Sequence, residues 1–288
     1  MLSYLHGFHA GNHADVFKHS VLTLLLQTFT TKPKPLTYLE THAGAGVYDL
    51  TSVQAHKTGE YGEGIGRLWA QKSEFPELFA YFNAISALNA TNECVRYSGS
   101  PQLAQFCLRD ADRLILMELH PKEAQTLRHQ LGSDSRIHIH HRDGFEGLPA
   151  LLPPKPSRGV VLIDPPYELK TEVNQLVKSV VAAHQRWASG CYVIWYPRLA
   201  VQRDQSAQLL NRLARHFSEL LIAELWTRPQ ANDFGMHGSG LVFINAPWQF
   251  SLQLQALLPR LAAVLTVTPN SLSNSGWSIK TITNANNQ

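Results

Sequence analysis

Apolar and polar positions along this chain repeat in two rhythms. Between residues 13 and 30, Val16, Phe17, Val21, Leu24 and Leu25 recur at helical spacing, and Asn12 or Asp15 stands where a helix cap belongs. Lys32-Pro33-Lys34-Pro35 ends that helix. Apolar runs then read as strands at 36–40, 114–119, 159–164 and 191–196, the last ending at Pro197, and the segment 136–140 reads as a further strand ending near Asp143. Between and after them the spacing turns helical at 121–131, 144–151, 173–187 and 201–217. Two further strands, near 220–227 and 240–245, have no long helix between them. Strands that alternate with helices predict an α/β fold, a mostly parallel doubly wound sheet. The last two strands predict an antiparallel edge hairpin.

Residues 47–95 break this rhythm. They hold GEYGEGIG and an amphipathic stretch around Glu77 to Leu88, without a strong strand. This segment is expected to be a small subdomain inserted into a core made of 1–46 and 96–288. From Asn270 the tail is polar, and it is expected to be an extension without an assigned role, disordered at its last residues.

Composition narrows the class of function. The chain has 288 residues, 44% of them hydrophobic and 16% charged, which supports a sizeable core and excludes a disordered chain. Its net charge of +3 excludes a protein coated in positive charge, so a nucleic-acid partner would need basic residues gathered on one face. Arg186, Arg198, Arg203, Arg212 and Arg215 lie in one stretch against a single acid, Asp204. Taken alone they read as a solvated helical face, with candidate phosphate contacts as the alternative. The 3 cysteines are widely spaced and include no C-x-x-C, which fits a reducing cytosol and argues against a disulfide framework or zinc knuckle. No run near the N-terminus is long enough to span a membrane, so a cytoplasmic protein without a membrane partner is expected. Nothing resembling a coiled coil or a long apolar edge calls for an obligate protein partner, and a monomer is expected.

In a doubly wound sheet, ligands bind beyond the carboxyl ends of the strands. Thr41-His42-Ala43-Gly44-Ala45-Gly46 follows the first strand, and Gly44 and Gly46 let backbone approach a ligand closely. Without G-x-G-x-x-G, this turn suits a nucleoside ligand lacking a pyrophosphate, such as S-adenosylmethionine (SAM), or is an ordinary glycine-rich turn. Glu118 ends the next strand, where an acid can accept hydrogen bonds from ribose hydroxyls. It lies 72 residues after Gly46, against about 20 in an uninterrupted unit, and the excess matches the insertion. Asp143-Gly144 ends the third strand. Its carboxylate suits an adenine amino group, a helix cap, or both.

The sharpest signal is Asp164-Pro165-Pro166-Tyr167 after the strand VVLI. The prolines fix the backbone and remove two N–H donors, leaving a carboxylate and carbonyls as acceptors beside an aromatic ring. Such an array grips the exocyclic amine of a planar base that stacks on Tyr167. Acceptors on both N–H groups free the nitrogen lone pair for attack on a methyl sulfonium, and Asp164 takes the proton. The residues alone leave several substrates open: adenine in RNA or DNA, guanine N2 in rRNA, or RNA bound without catalysis. The 14 histidines lack the acid or thiolate partners of a metal site, and none is expected. His19 and His42 read instead as polar groups near the cofactor.

Several segments together resemble the RlmJ family of bacterial SAM-dependent methyltransferases, which act on adenine N6 in 23S rRNA. They are LSYLHGFHAGNHADVFKH at the start, LETHAGAG, TGEYGEGI, SGSP at 98–101, MELHP at 117–121, DGF at 143–145, LIDPPYE at 162–168 and IWYP at 194–197. The resemblance runs from residue 1 to about 248 and thins over 70–95. DPPY is shared by many amino-methyltransferases; the histidine-rich opening joined to HAGAG is more specific. The resemblance implies a Rossmann-like methyltransferase core with an inserted subdomain and an N-terminal segment beside the active site. It implies that His19, His42, Ser100, Glu118, Asp143, Gly144 and Asp164 contact SAM or its product S-adenosylhomocysteine. It implies further that Asp164 is the catalytic acceptor, and that Tyr4 meets the RNA with Pro165 and Tyr167 at the base.

Overall fold

The structure, a computed structural model, describes residues 5–169, 171–266 and 275–284. Helix α1 (His13–Thr30) starts at Asn12, whose side chain accepts from the N–H groups of Ala14 and Asp15 at 3.0 and 2.9 Å. That choice of cap leaves Asp15 for other work. From His13 to Leu26 every residue of α1 is buried, polar ones included, so the helix runs through the interior instead of floating on it.

The chain divides into two compact units, residues 1–147 with 154–160, and residues 148–153 with 161–288. In the first unit β1 (Thr37–Glu40) pairs in parallel with β4 (Arg113–Glu118), and β4 in parallel with β5 (Ile137–His141). Helix α6 (Pro121–Leu131) makes the crossover from β4 to β5 and packs on both. The first residues of β6 (Gly159–Ile163) run beside β1, where the Thr37 N–H donates to the Arg158 carbonyl at 2.8 Å. Residues 47–98 open and close on a small antiparallel ladder, β2 (Val47–Asp49) against β3 (Arg96–Ser98). Between these strands lie α2 (Val53–Thr58), α3 (Ile65–Ala70) and α4 (Phe79–Ser86), and α5 (Ser100–Cys107) follows. Helix α1 packs on both α4 and α5.

In the second unit β6 continues, and the strand order is β6, β7 (Cys191–Leu199), β9 (Met236–Ile244), β8 (Glu219–Trp226), β10 (Gly276–Thr283). Strand β9 is antiparallel to both β7 and β8, and β10 is antiparallel to β8. Helix α7 (Gly144–Ala150) precedes β6, and α8 (Glu172–Arg186) and α9 (Ser206–Ala214) continue the alternation. The expected class, a Rossmann-like doubly wound α/β sheet, is the one observed.

Four elements depart from expectation. The β8–β9 hairpin is antiparallel but is not the edge, because β10 covers it. The tail therefore contains a strand: Ile279, Thr281, Ile282 and Thr283 are β-branched, and pairing with β8 outweighs the polarity of the segment. Strand β7 runs through Pro197 to Leu199, since β9 pairs with it past the proline. Helix α9 starts at Ser206, later than expected, because 200–202 bond to the loop at 231–235. An unforeseen helix, α10 (Phe250–Leu265), packs on β8 and β10 with Phe250, Leu254, Leu257, Leu258, Leu261 and Leu265 buried at helical spacing. The expected disorder of the last residues concerns 285–288, which lie outside the described residues.

Candidate active site

In the first unit, three neighbouring parallel strands bring their carboxyl ends to one edge: β1 runs into the turn 41–46, β4 into Glu118, β5 into Asp143. The turn is held by the acid beside it. Glu118 Oε2 accepts the Gly44 N–H at 2.7 Å, and its Oε1 accepts the His120 N–H at 2.7 Å. Gly44 has φ +62, and a Cβ there would stand 2.2 Å from the Tyr48 hydroxyl, so only glycine permits this approach. Asp143 does cap α7, accepting from the Phe145 and Glu146 N–H groups at 2.7 and 3.3 Å, and uses Oδ1 for both. Gly144 packs against the β1 turn: a Cβ would lie 2.1 Å from the Thr41 carbonyl. His42 meets the Phe145 ring edge-on at 5.1 Å and shares a 2.8 Å bond with the Thr41 hydroxyl. His42, Gly44, Glu118, Asp143 and Gly144 are thus brought together at the carboxyl ends of three strands.

Gly46, Ser100 and His19 continue from that edge along β3. The Gly46 carbonyl accepts from the Gly99 N–H at 2.8 Å. The Ser100 hydroxyl donates to Glu40 Oε1, and the Tyr38 hydroxyl donates to Glu40 Oε2 at 2.8 Å. Glu40, fully buried at the end of β1, has no part in the sequence reading. Its sign there was only an acid closing an apolar strand, the same sign that singled out Glu118. The His19 ring lies 2.7 Å from the Tyr97 hydroxyl and 3.9 Å from Asp15. Burial holds the His19 imidazole well below its ordinary range, against the pull of Asp15, so the ring is neutral. Asp15 goes the other way from what burial favours. Burial raises it, but His6 and Lys18 hold its carboxyl well below the usual range. The Lys18 ammonium is 3.0 Å away and itself buried. Asp15, Lys18 and His19 are spaced i, i+3, i+4, which was a readable signal. Tyr4 lies outside the described residues.

In the second unit β6, GVVLI, is buried at every residue and delivers Asp164 to its end. Pro165 is buried and Tyr167 takes φ 54, a left-handed conformation that costs a tyrosine about 1–3 kcal/mol. Two contacts hold it there. The Tyr167 hydroxyl donates to the Trp195 carbonyl at 2.7 Å, and the two rings lie 5.9 Å apart at 59°. Burial, reinforced by the Asp164 carboxylate, pushes the Tyr167 phenol well above its ordinary value, so it stays a donor. The corner is therefore a carboxylate, two residues without N–H groups, and a tethered ring.

A model of the family described as ribosomal RNA large subunit methyltransferase D, RlmJ, matches residues 33–279. The chain belongs to the RlmJ family. Ribosomal RNA large subunit methyltransferase J of Escherichia coli K12 is 42% identical over 278 residues, covering 96% of this chain and 99% of that protein. Its namesake from Haemophilus influenzae is 43% identical over 285 residues, covering 98% and 99%. Among solved structures, protein LPL1258 of Legionella pneumophila superposes with TM-score 0.84 at 36% identity, covering 96% of this chain and 99% of that one. For this member of the family, no helix among the described residues is long and apolar enough to cross a membrane. The five arginines of the 186–215 stretch do not form one face. Arg186, Arg212 and Arg215 close helices that lead back to the amino ends of strands, whereas Arg198 and Arg203 lie at and beyond the carboxyl end of β7.

Proposed function

We propose that the protein transfers a methyl group from SAM to the exocyclic N6 amine of an adenine in 23S rRNA and releases S-adenosylhomocysteine. The names of its relatives support the large-subunit rRNA substrate. The observation that carries the amine chemistry is the Asp164-Pro165-Pro166-Tyr167 corner, rich in acceptors and with its ring tethered to Trp195.

The residues of the first unit fit the cofactor. Glu118 and Asp143 are carboxylates at adjacent strand ends with acceptor capacity beyond their backbone bonds. Glu118 would hold the ribose hydroxyls and Asp143 the adenine amine, while Gly46, Gly144, His42, Ser100 and neutral His19 would line the rest. When bound, SAM supplies an electrophilic methyl on a sulfonium.

The chain's own contribution is orientation and proton handling. Asp164 and the Pro165 carbonyl accept the two N–H groups of the target amine, and Tyr167 supports the ring by stacking. With both hydrogens engaged, the amine nitrogen turns its lone pair outward. Asp164 accepts the proton that the methylated nitrogen sheds. Adenine must leave its stack to reach such a corner, which is least costly in a single-stranded or loosely paired site. Tyr4 would meet the RNA. Residues 47–95, bracketed by β2 and β3, would be the inserted subdomain. The protein would work as a cytoplasmic monomer.

The test is tritiated-methyl transfer to deproteinised 23S rRNA, followed by nucleoside analysis. Label in N6-methyladenosine is expected. Label in N2-methylguanosine, or none, overturns the proposal. Asp164→Ala should leave SAM binding largely intact and lose transfer by at least about a hundredfold.

A further inference from the structure

We propose that the paired loops beyond β7 form a stacking platform for an unpaired nucleotide of the RNA flanking the target, with Phe234 and Arg203 as its contact residues. The proposal rests on the methyl-transfer reading above and adds where the neighbouring RNA is held.

The two loops are locked together. The N–H groups of Ala200, Val201 and Gln202 donate to the carbonyls of Gly235, Ala231 and Asn232 at 2.9, 3.0 and 3.3 Å. The Gln230 amide donates to the Leu199 carbonyl at 2.8 Å and to Asp204 at 3.1 Å, and the Gln202 amide donates to Asp233 at 3.0 Å. A surface ordered in advance loses little entropy on binding.

On that support Phe234 is 76% exposed, and the Arg203 guanidinium sits over its ring, 5.4 Å from the centroid. A phenyl left in water contributes little to the core, so folding alone gives no reason for an aromatic here. The pair offers a π face and a cation side by side, the combination on which unpaired bases stack. Asp204 and Asp233 are the acids on these loops, and both accept from glutamine amides. With acids and bases mixed, the site suits a stacked base better than a run of phosphates. Arg198, also at this end, is engaged inward, over Trp226 at 5.6 Å and 3.6 Å from Glu224.

Position supports the same partner. Tyr167 of the corner bonds to Trp195 of β7. From Trp195 to Leu199, where the loops begin, is about 13 Å along an extended strand. Both features thus lie in one unit, at one end of one strand, at a distance suited to neighbouring nucleotides of one RNA.

The test uses the full chain with deproteinised 23S rRNA, reading filter retention of labelled RNA, methyl-transfer kinetics and SAM calorimetry. Phe234→Ala should weaken RNA retention and raise the KM for RNA about 5- to 150-fold, with kcat and SAM affinity unchanged. Phe234→Trp should restore both. Arg203→Ala should weaken retention about 2- to 5-fold. Unchanged retention in Phe234→Ala overturns the platform. So does a loss that Phe234→Trp fails to restore, which would trace the effect to loop structure. A wild-type protein that retains the RNA without methylating it counts against the reaction and not against the platform.

Discussion

Removing one oxygen tests how the corner is held. Tyr167 sits at φ 54, a conformation that costs about 1–3 kcal/mol, and its hydroxyl donates to the Trp195 carbonyl at 2.7 Å. Tyr167→Phe keeps the stacking ring and deletes the tether. The lost bond is worth about 0.5–1.5 kcal/mol net. That is the same order as the backbone strain it opposes, so the corner should spend more time relaxed and misaligned. A penalty near 1 kcal/mol lowers the aligned population about fivefold. Steady-state transfer to 23S rRNA should therefore show kcat/KM reduced about 2- to 13-fold, while calorimetry gives wild-type SAM affinity. Tyr167→Leu, which removes ring and tether together, should lose far more. A Tyr167→Phe enzyme with wild-type kcat/KM would refute the tether. A parallel loss of SAM affinity would show that the corner and the cofactor edge are not separable in the way argued.

Two further outcomes follow from the cofactor edge and its surroundings. Gly144→Ala puts a methyl 2.1 Å from the Thr41 carbonyl, so it should destabilise the fold by about 1–3 kcal/mol in urea unfolding and weaken SAM binding. His19 is held neutral by burial, so its folded pKa lies below its unfolded value near 6.5. Below that pH the unfolded chain takes up a proton that the folded one refuses, and stability should fall by up to about 1.4 kcal/mol per pH unit until the folded pKa is reached. Urea titrations between pH 5 and 7 should show this slope in the wild type and a flatter one in His19→Asn.

The strand-end residues were legible because a single local fact, an apolar run closing on an acid or a glycine turn, coincides with the global rule that ligands sit beyond strand ends. Glu118, Asp143 and Asp164 all satisfy it. What stayed hidden depends on contacts distant in sequence. Ser100 bonds to Glu40 across 60 residues, and nothing in either segment names the other. The polar tail concealed β10 because its pairing partner, β8, supplies what local composition does not. Pro197 looked like a stop because a proline ends a strand on local grounds, whereas β9 carries β7 on to Leu199. The arginine stretch is ambiguous in sequence for a different reason. Five charges close in sequence are divided by a strand and a helix, so the fold sends them to opposite ends of the sheet.

Glu118 provides the cleanest separation of binding from chemistry. Both of its oxygens accept backbone N–H groups, from Gly44 and His120, each at 2.7 Å. A glutamine in its place must turn its NH₂ toward one of those donors, so one bond is lost and two donors face each other. Leaving such a group unpaired costs about 1–3 kcal/mol. The cost falls on the turn that holds Gly44, and hence on the donor's bound state. Because SAM is held alike before and during transfer, this is uniform binding: its loss raises the KM for SAM and leaves kcat in place. Asp164 has the opposite signature, since its acceptors act on charge that develops as the nitrogen attacks. Glu118→Gln should therefore raise the Kd and KM for SAM about 5- to 150-fold, with kcat at saturating SAM within about twofold of wild type. A Glu118→Gln enzyme with normal SAM affinity and a collapsed kcat would place this carboxylate in the chemical step and undo the division of roles between the two strand ends.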